Sequence, residues 1–303
     1  MSGKRLDAAV RAQFQLSWNK ARDHIGSGKI LVDGNTVTDP AYAVSEGAMI
    51  ELRMSAPRLK PGQKPAVLPA NQPAGPAPRV VHLDSQVLVV SKPSGLNTVQ
   101  HPDDEPAPSL EDWACGHLKQ SKVVIVQRLD RETSGLIVLA RTQTAGHALA
   151  QQFRFRTVHR RYLALAHGEV RSQTIRSALV ENRGDGLRGS RWPGSPIPER
   201  LAKEAITHVR ALKRIPTPQG PMTLIECALE SGRTHQIRIH LSEAGHPLVG
   251  ERLYVREFEG ERIAAPRIML HAAELGFTHP TREAPMSWTE QPPEDFQACL
   301  AYS

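Results

Sequence analysis

The sequence predicts an α+β fold in which a mainly antiparallel mixed sheet forms the larger of two domains. Short strand-like runs outnumber helical patterns, the two do not alternate regularly, and a proline-rich stretch separates a small N-terminal part from the rest. With 303 residues, of which 40% are hydrophobic and 23% charged, the chain is long enough for about two domains. This composition excludes disorder over most of the length.

Residues 55–78 mark the clearest domain boundary. Seven of these 24 positions are proline, and Arg58, Lys60 and Lys64 lie among them. Proline has no backbone N–H and breaks helices, so we expect an extended, semi-rigid linker here. The predicted domains are therefore residues 1–54 and residues 79–303.

The small domain is expected to contain two short helices followed by a small sheet. Apolar residues from Leu6 to Phe14 recur at helical spacing, and Ser17 is a suitable cap for a second helix. The Asp-Gly pair at 33–34 is typical of a hairpin. Three basic residues on or after the second helix suit phosphate binding: Lys20, Arg22 and Lys29. A solvated helix face explains them equally well, because this domain carries seven basic and six acidic residues.

The large domain is expected to be rich in strands. Strand-like runs occupy residues 80–83, 87–90, 123–126, 135–139, 162–165, 223–227 and 236–239. Candidate helices are residues 109–118, 144–153 and 240–244. This pattern favours an antiparallel sheet over a regular alternation of strands and helices.

Basic charge is concentrated between residues 141 and 215. The whole chain has a net charge of +7 and a pI of about 9.5, whereas this window holds 15 Lys and Arg against 5 Asp and Glu, a net +10. Four of its arginines surround two phenylalanines: Arg154, Arg156, Arg160 and Arg161. A glycine- and proline-rich stretch at 183–198 adds more arginines and Trp192, and is expected to be a long mobile loop. Such residues suit a nucleic-acid backbone and stacked bases, and a surface insertion without a ligand is the alternative.

Several common cofactor sites are absent from the sequence pattern. Residues 184–189 match G-x-G-x-x-G without a preceding strand or a following helix, and residues 26–29 lack the first glycine of a P-loop. His235 and His240 are spaced poorly for one helix face, so we expect structural histidines and no metal site. No nucleotide cofactor is expected either.

Cysteine content and hydropathy indicate the compartment. The three cysteines are odd in number and far apart, which predicts reduced thiols rather than disulfides. The N-terminus shows no signal-peptide pattern, and no apolar run approaches the ~18 residues of a membrane helix. We therefore expect a cytoplasmic protein with no membrane partner.

One acidic residue lies in an unusual setting. Residues 127–136 read Q-R-L-D-R-E-T-S-G-L, which places Asp130 between Arg128 and Arg131 just before a hydrophobic strand. Nearby cations favour the ionised carboxylate, which can act as a nucleophile or base. A structural ion pair at the start of the strand explains the same pattern.

This stretch strongly resembles the catalytic motif of RluA-type pseudouridine synthases, usually H-R-L-D-x-x-T-S-G-L. Four further blocks are similar to the family in the same order: residues 89–95 (V-V-S-K-P-S-G), 161–165 (R-Y-L-A-L), 230–250 (with G-R-T-H-Q-I-R-I-H) and 269–280 (M-L-H-A to F-T-H-P). Residues 3–7 and 28–34 resemble the S4-type RNA-binding domain that many of these synthases carry at the N-terminus.

The resemblance implies roles for particular residues. By position, Asp130 is the catalytic aspartate, Tyr162 the aromatic residue beneath the target base, and Arg238 the basic partner of the aspartate. Gln236 and Ile237 would line the pocket. Arg128 and Arg131 would contact the RNA backbone, and a structural role remains equally open for them. Two departures from the family pattern, Gln127 for His and Glu251 for Asp, leave the chemical groups of the mechanism in place.

The implied reaction isomerises uridine to pseudouridine in RNA and needs no cofactor. Large-subunit ribosomal RNA is the expected substrate, transfer RNA the alternative, and a monomer the expected state. Two other classes of function remain: a non-catalytic RNA-binding or ribosome assembly factor, and a nucleotide-dependent oxidoreductase that uses the glycines at 184–189.

Overall fold

The computed structural model describes residues 4–27, 29–32, 35–37, 39–44, 48–52, 76–100 and 108–301. The chain divides into two compact units, Met1–Ala74 with Gln100–Pro108 and Gly75–Val99 with Ser109–Ser303. Residues 55–75 of the predicted linker lie outside the described residues, and residues 76–78 lead without regular structure into the next strand.

The first unit combines short helices with small sheets. Its elements are β1 (Lys4–Arg5), α1 (Leu6–Phe14), α2 (Trp18–Gly26), β2 (Ile30–Val32), β3 (Asn35–Thr36), β4 (Ala43–Val44) and β5 (Ile50–Leu52). The Ser17 hydroxyl accepts a hydrogen bond from the Lys20 backbone N–H at 3.4 Å, which confirms the predicted cap of α2. β2 pairs antiparallel with β3 and β5, and β1 pairs antiparallel with β4. The Asp-Gly pair predicted between β2 and β3 lies outside the described residues.

The second unit is dominated by strands. Its strands are β6 (Arg79–Leu83), β7 (Val87–Lys92), β8 (Val124–Ile125), β9 (Ser134–Ala140), β10 (His159–His167), β11 (Gln173–Val180), β12 (Gly189–Ser190), β13 (Lys203–Ile215), β14 (Met222–Leu229), β15 (Leu270–Thr278) and β16 (Pro285–Thr289). Its helices are α3 (Leu110–Leu118), α4 (Gln143–Arg154), a 3-10 turn (Glu199–Leu201), α5 (Gln236–Glu243) and α6 (Glu294–Leu300). Within the described residues, no helix is both long and apolar enough to cross a lipid bilayer.

These strands form one sheet in the order β12-β11-β13-β14-β10-β15-β9-β7-β6, with β16 beside β15 and β8 beside β9. β9 runs parallel to β15, and the other pairs described in this sheet are antiparallel. The predicted α+β fold with a mainly antiparallel mixed sheet is therefore confirmed.

Both faces of the sheet are covered near its centre. Every residue of β9 is buried; Ile137 and Leu139 belong to one apolar cluster, and Leu136 and Val138 belong to another. At the start of β9, Gly135 has φ +111°, and a Cβ atom there would overlap the Ala272 carbonyl oxygen. Glycine is required because β9 and β15 approach so closely. This contact fixes the strand that follows Asp130.

Two predictions for the second unit were wrong. Residues 236–239 were predicted as a strand but form the first turn of α5, in which Gln236 to Leu241 are all buried. Polar and apolar residues alternate here as they do in a strand with one solvent-facing side. The polar residues Gln236 and Arg238 are instead buried and form hydrogen bonds inside the protein. Strands β11, β13, β15 and β16 were missed. Exposed charged residues interrupt the apolar pattern of β11 and β13, and polar residues alternate with or interrupt the apolar ones in β15 and β16.

Candidate active site

Asp130 lies in the loop between β8 and β9. The Thr133 backbone N–H donates to the Asp130 carbonyl at 3.1 Å. The Thr98 hydroxyl donates to the Leu129 carbonyl at 2.8 Å and accepts from the Leu129 N–H at 3.1 Å. These hydrogen bonds fix the backbone on both sides of Asp130, whose side chain is 23% exposed. A partly exposed carboxylate on a fixed loop can reach a ligand.

A buried lysine ties this loop to the preceding one. Lys92, at the end of β7, is fully buried. Its Nζ donates to the carbonyls of Pro93, Leu96 and Arg131 at 2.9, 2.8 and 3.2 Å. Burial lowers the pKa of Lys92 to about 7, and the charge of Asp130 opposes that shift. The amine thereby links the loop after β7 to the loop that carries Asp130.

Helix α5 brings Arg238 next to Asp130. The Arg238 Nη1 lies 3.6 Å from the Asp130 Oδ2, while Nε and Nη2 donate to the two carboxylate oxygens of Glu251 at 2.7 and 2.9 Å. Burial acts to raise the pKa of Glu251, but the hydrogen bond and positive charge of Arg238 outweigh it and lower that pKa. The bidentate pair therefore leaves one nitrogen of Arg238 facing Asp130.

His235 faces the other oxygen of the same carboxylate. Its Nε2 lies 3.9 Å from the Asp130 Oδ1, and its Nδ1 lies 2.8 Å from the Tyr254 hydroxyl. The Arg238 guanidinium stacks over the Tyr254 ring, 5.2 Å from its centroid. Burial lowers the pKa of His235 and raises the pKa of Tyr254 to about 12. One carboxylate oxygen of Asp130 therefore faces an imidazole and the other faces a guanidinium.

Tyr162 lies in β10 within the adjoining core. It is 8% exposed and belongs to the same apolar cluster as Leu129 and Ile237, the chain neighbours of Asp130 and Arg238. Burial is the main cause that raises the pKa of Tyr162, and the charge of Asp130 adds to the rise. The phenol therefore stays neutral near pH 7.

Together these groups provide an acid–base and nucleophilic site. A carboxylate, a fixed cation and an imidazole converge from two loops and one helix, beside a buried phenol. In the part of the chain that the structure describes, no group of three or more His, Cys, Asp or Glu residues is arranged to hold a metal ion.

The sequence matches two known families. The signature of the S4 domain matches residues 4–50, and that of RNA pseudouridylate synthases matches residues 86–243, just over half of the chain. The chain belongs to the RNA pseudouridylate synthase family. The predicted RluA-type resemblance, the N-terminal S4 domain and the assignment as an isomerase are confirmed.

Relatives with established names extend this match. The chain is 32% identical over 314 residues to the ribosomal large subunit pseudouridine synthase D of Zymomonas mobilis, covering 98% of this chain and 93% of the relative. It is 35% identical over 219 residues to the dual-specificity RNA pseudouridine synthase RluA of Vibrio parahaemolyticus, covering 71% and 83%. The solved structure of human RNA pseudouridylate synthase domain containing 1 shares the fold, with a TM-score of 0.58, 24% identity and coverage of 74% and 87%.

The two predicted pocket residues of this synthase lie in its interior. Gln236 is 2% exposed; its amide accepts from Ser231 at 2.9 Å and donates to the Thr207 hydroxyl at 3.0 Å. Ile237 is buried in the cluster that contains Tyr162. These contacts anchor the first turn of α5, which carries Arg238, to the interior.

The synthase arginines predicted to contact RNA fall into two groups. Arg128, Arg131 and Arg154 are exposed. Arg160 is partly buried and stacks over the Phe153 ring, 5.4 Å from its centroid. These four side chains differ from the second group in having no ion pair among the contacts described for them.

The second group is already paired with carboxylates. Arg156 lies 2.8 Å from Glu204 and 3.3 Å from Glu230, and Arg161 lies 3.2 Å from Glu226. Their charges are partly neutralised by the protein itself. Binding of an RNA phosphate by these side chains has to compete with those contacts.

In the S4 domain, the predicted basic residues have different surroundings. Lys20 is exposed on α2, and Lys29 follows α2 and is partly buried. Arg22 lies 3.1 Å from the buried carboxylate of Asp7. Arg22 therefore has a structural partner, whereas Lys20 points to solvent.

Sequence reasoning missed several members of the site. Lys92 was part of a quoted motif and Glu251 was noted as a departure from the family pattern, but neither was given a contact. His235 was expected to be a structural histidine, and Tyr254 was not singled out. These residues come from separate segments of the sequence, and their contacts with Arg238, with each other or with the loop that carries Asp130 become visible only in the structure.

Proposed function

We propose that this synthase converts uridine to pseudouridine in RNA, with Asp130 as the catalytic carboxylate, Arg238 as its charged partner and Tyr162 packing beneath the target base. The observation that carries the proposal is the partly exposed Asp130 side chain, held on a fixed loop with Arg238 3.6 Å away. Such a preorganised carboxylate suits a reaction that requires no redox chemistry.

The reaction breaks the bond between C1′ and N1, turns the detached uracil, and joins C5 to C1′. Attack of the carboxylate on C1′, attack on the base, and removal of a sugar proton all require Asp130 in its ionised form. Because burial raises the pKa of Tyr162, the neutral phenol suits packing against the uracil ring better than acceptance of the C5 proton.

The target uridine has to leave its stack to reach this site. Unstacking costs a few kcal/mol, and least for a base that is already unpaired. The exposed arginines Arg128, Arg131 and Arg154 are suited to hold the distorted backbone and offset part of that cost.

The first prediction concerns tritium release from RNA labelled at uridine C5. We expect the wild type to release tritium and Asp130→Asn to fall to background, because the amide cannot act as nucleophile or base. Circular dichroism and thermal unfolding should match in the two proteins. Equal release by both would refute the role of Asp130, and RNA binding without release by the wild type would favour a non-catalytic RNA-binding factor.

We infer that the natural substrate is large-subunit ribosomal RNA, and that the protein acts on it as a monomer in the cytoplasm. Support for the ribosomal target comes from the name of the Zymomonas relative, whose match covers nearly the whole chain. Mapping pseudouridines in cells with and without this protein tests the target. Loss of a site in transfer RNA alone would overturn the ribosomal assignment.

A further inference from the structure

His235 is the member of the site whose backbone is least ordinary. It has φ 57° and ψ 18°, in the left-handed region, immediately before the first residue of α5. Few non-glycine residues adopt this conformation, and those that do are often found at functional sites. Its side chain is 25% exposed and lies 3.9 Å from the Asp130 carboxylate, which is 23% exposed.

Two positions of the imidazole hydrogen of His235 are compatible with its contact to Tyr254, and the charge of Asp130 selects between them. Since burial raises the pKa of Tyr254 to about 12 and lowers that of His235, a neutral phenol meets a neutral imidazole across 2.8 Å. If Nδ1 carried the hydrogen, the Nε2 lone pair would face the Asp130 carboxylate. If Tyr254 donates to Nδ1, an Nε2–H faces that carboxylate instead. Electrostatic attraction selects the second arrangement.

The charges around the imidazole keep it neutral. Burial and the positive charges of Arg238 and Arg188 disfavour protonation, whereas Asp130 and Glu251 favour it, and the net effect lowers the pKa of His235. A cationic imidazole would pair with Asp130 and weaken it as a nucleophile or base. A neutral ring keeps an N–H donor in the site without that pairing.

We propose that the Nε2–H of neutral His235 donates a hydrogen bond to a carbonyl oxygen of the target uracil as the C1′–N1 bond breaks. This inference rests on the proposed function. The 3.9 Å between Nε2 and the Asp130 Oδ1 exceeds a hydrogen-bond length, so the donor is available to a ligand. The electron pair of the broken bond goes to the uracil, and the hydrogen stays on His235.

The same donor serves each route open to Asp130. Attack on C1′ and removal of a sugar proton both release the uracil as an anion, whose charge spreads onto its carbonyl oxygens. Attack on the base also places negative charge on a carbonyl oxygen. A fixed donor aimed at such an oxygen accelerates a reaction by about 10²–10³-fold.

The test compares His235→Ala, which removes the donor, with His235→Gln, which keeps a side-chain N–H. We expect His235→Ala to lower the single-turnover rate of tritium release about 10²-fold with RNA affinity unchanged. His235→Gln should recover at least tenfold of this loss. His147→Ala, which alters an exposed histidine on α4, should match the wild type. A rate for His235→Ala within threefold of the wild type, or equal rates for the Ala and Gln variants, would overturn the proposal.

A second measurement is independent of activity. Nitrogen-15 NMR of labelled histidine should show His235 with its hydrogen on Nε2 in the free wild type and a mixture of tautomers in Tyr254→Phe. A hydrogen on Nδ1 in the wild type would overturn the proposal. Absence of tritium release by the wild type would instead contradict the proposed function, so the two failures are distinguishable.

Discussion

Arg238 and Arg156 both pair with glutamate, but the Arg238 pair is buried beside Asp130 and the Arg156 pair lies at the surface. The Arg238 side chain is 9% exposed and its partner Glu251 is fully buried, so their bidentate contact fixes an arginine beside Asp130. Arg156 is 40% exposed and lies between two partly exposed glutamates. A buried pair sets geometry and leaves a costly charge if broken, whereas a surface pair contributes little to stability but neutralises charge.

The comparison changes how the basic window should be interpreted. The net +10 of residues 141–215 counts only charges close in sequence. Arg156 and Arg161 pair with Glu230, Glu226 and Glu274, which lie outside that window. The positive charge that this window leaves unpaired is therefore smaller than the count.

The largest expected effect comes from breaking the buried pair. We expect Glu251→Ala to lower the free energy of unfolding by about 3–5 kcal/mol, because the buried Arg238 guanidinium loses its bidentate partner and keeps only the Asp130 carboxylate at 3.6 Å. Urea unfolding monitored by circular dichroism measures this. Glu251→Asp, the residue usual in the family, keeps the charge and should lose less than half as much. A cost below about 1 kcal/mol for the Ala variant would show that Arg238 does not depend on this partner.

A second prediction concerns another buried side chain of α5. His240 is fully buried between the hydroxyls of Ser177 and Thr207, at 3.0 and 2.8 Å, and burial lowers its pKa from 6.5 to about 4. Between these values the unfolded chain binds the proton and the folded protein does not, so stability falls as pH drops from 6.5 to 4. The expected loss from this group is about 3 kcal/mol.

His240→Asn is the matched control, since its amide can occupy the position from which Nδ1 contacts the Thr207 hydroxyl but does not titrate. Urea unfolding at pH 7 and pH 4 should show the stability of the wild type relative to this variant decreasing by about 3 kcal/mol on acidification. A difference that is independent of pH would contradict the assignment of this acid sensitivity to His240.

The smallest effects are expected at the surface pairs. Arg156→Ala should leave the free energy of unfolding nearly unchanged. Glu204→Gln removes the closer of the two carboxylate partners of Arg156. We expect RNA binding to strengthen two- to threefold at low salt, with the gain lost at high salt. Reversing Arg154, Arg156 and Arg161 together should weaken RNA binding in a salt-dependent manner while leaving the fold intact.

Filter binding over a range of salt concentrations measures these effects. Glu169→Gln is the matched control because it removes the partner of Arg214 in an exposed ion pair. Arg214 lies at the end of β13 opposite to Glu204. An equal gain in both glutamine variants would mean that only total charge matters. Unchanged affinity after the triple reversal would remove the RNA-binding role of this patch.

The sequence motifs singled out a candidate site, whereas the hydrophobic pattern misassigned part of the secondary structure that holds it. Asp130, Tyr162 and Arg238 followed from family motifs, and the structure places two of them together and the third in the adjoining core. Helix α5 was misassigned because Gln236 and His240 are polar residues satisfied in the interior, which no periodicity reveals. The contact between Arg238 and Glu251 depends on the path of the loop that follows α5, and local sequence patterns do not predict that path.

The hydrogen bonds of Lys92 offer a way to time the opening of the site. Its amine is fully buried with three carbonyl acceptors around it, and burial lowers its pKa to about 7. An amine-reactive reagent can reach it only when the loops that it joins separate. The modification rate of Lys92, divided by that of an exposed lysine such as Lys20, therefore measures how often the loop that carries Asp130 opens locally.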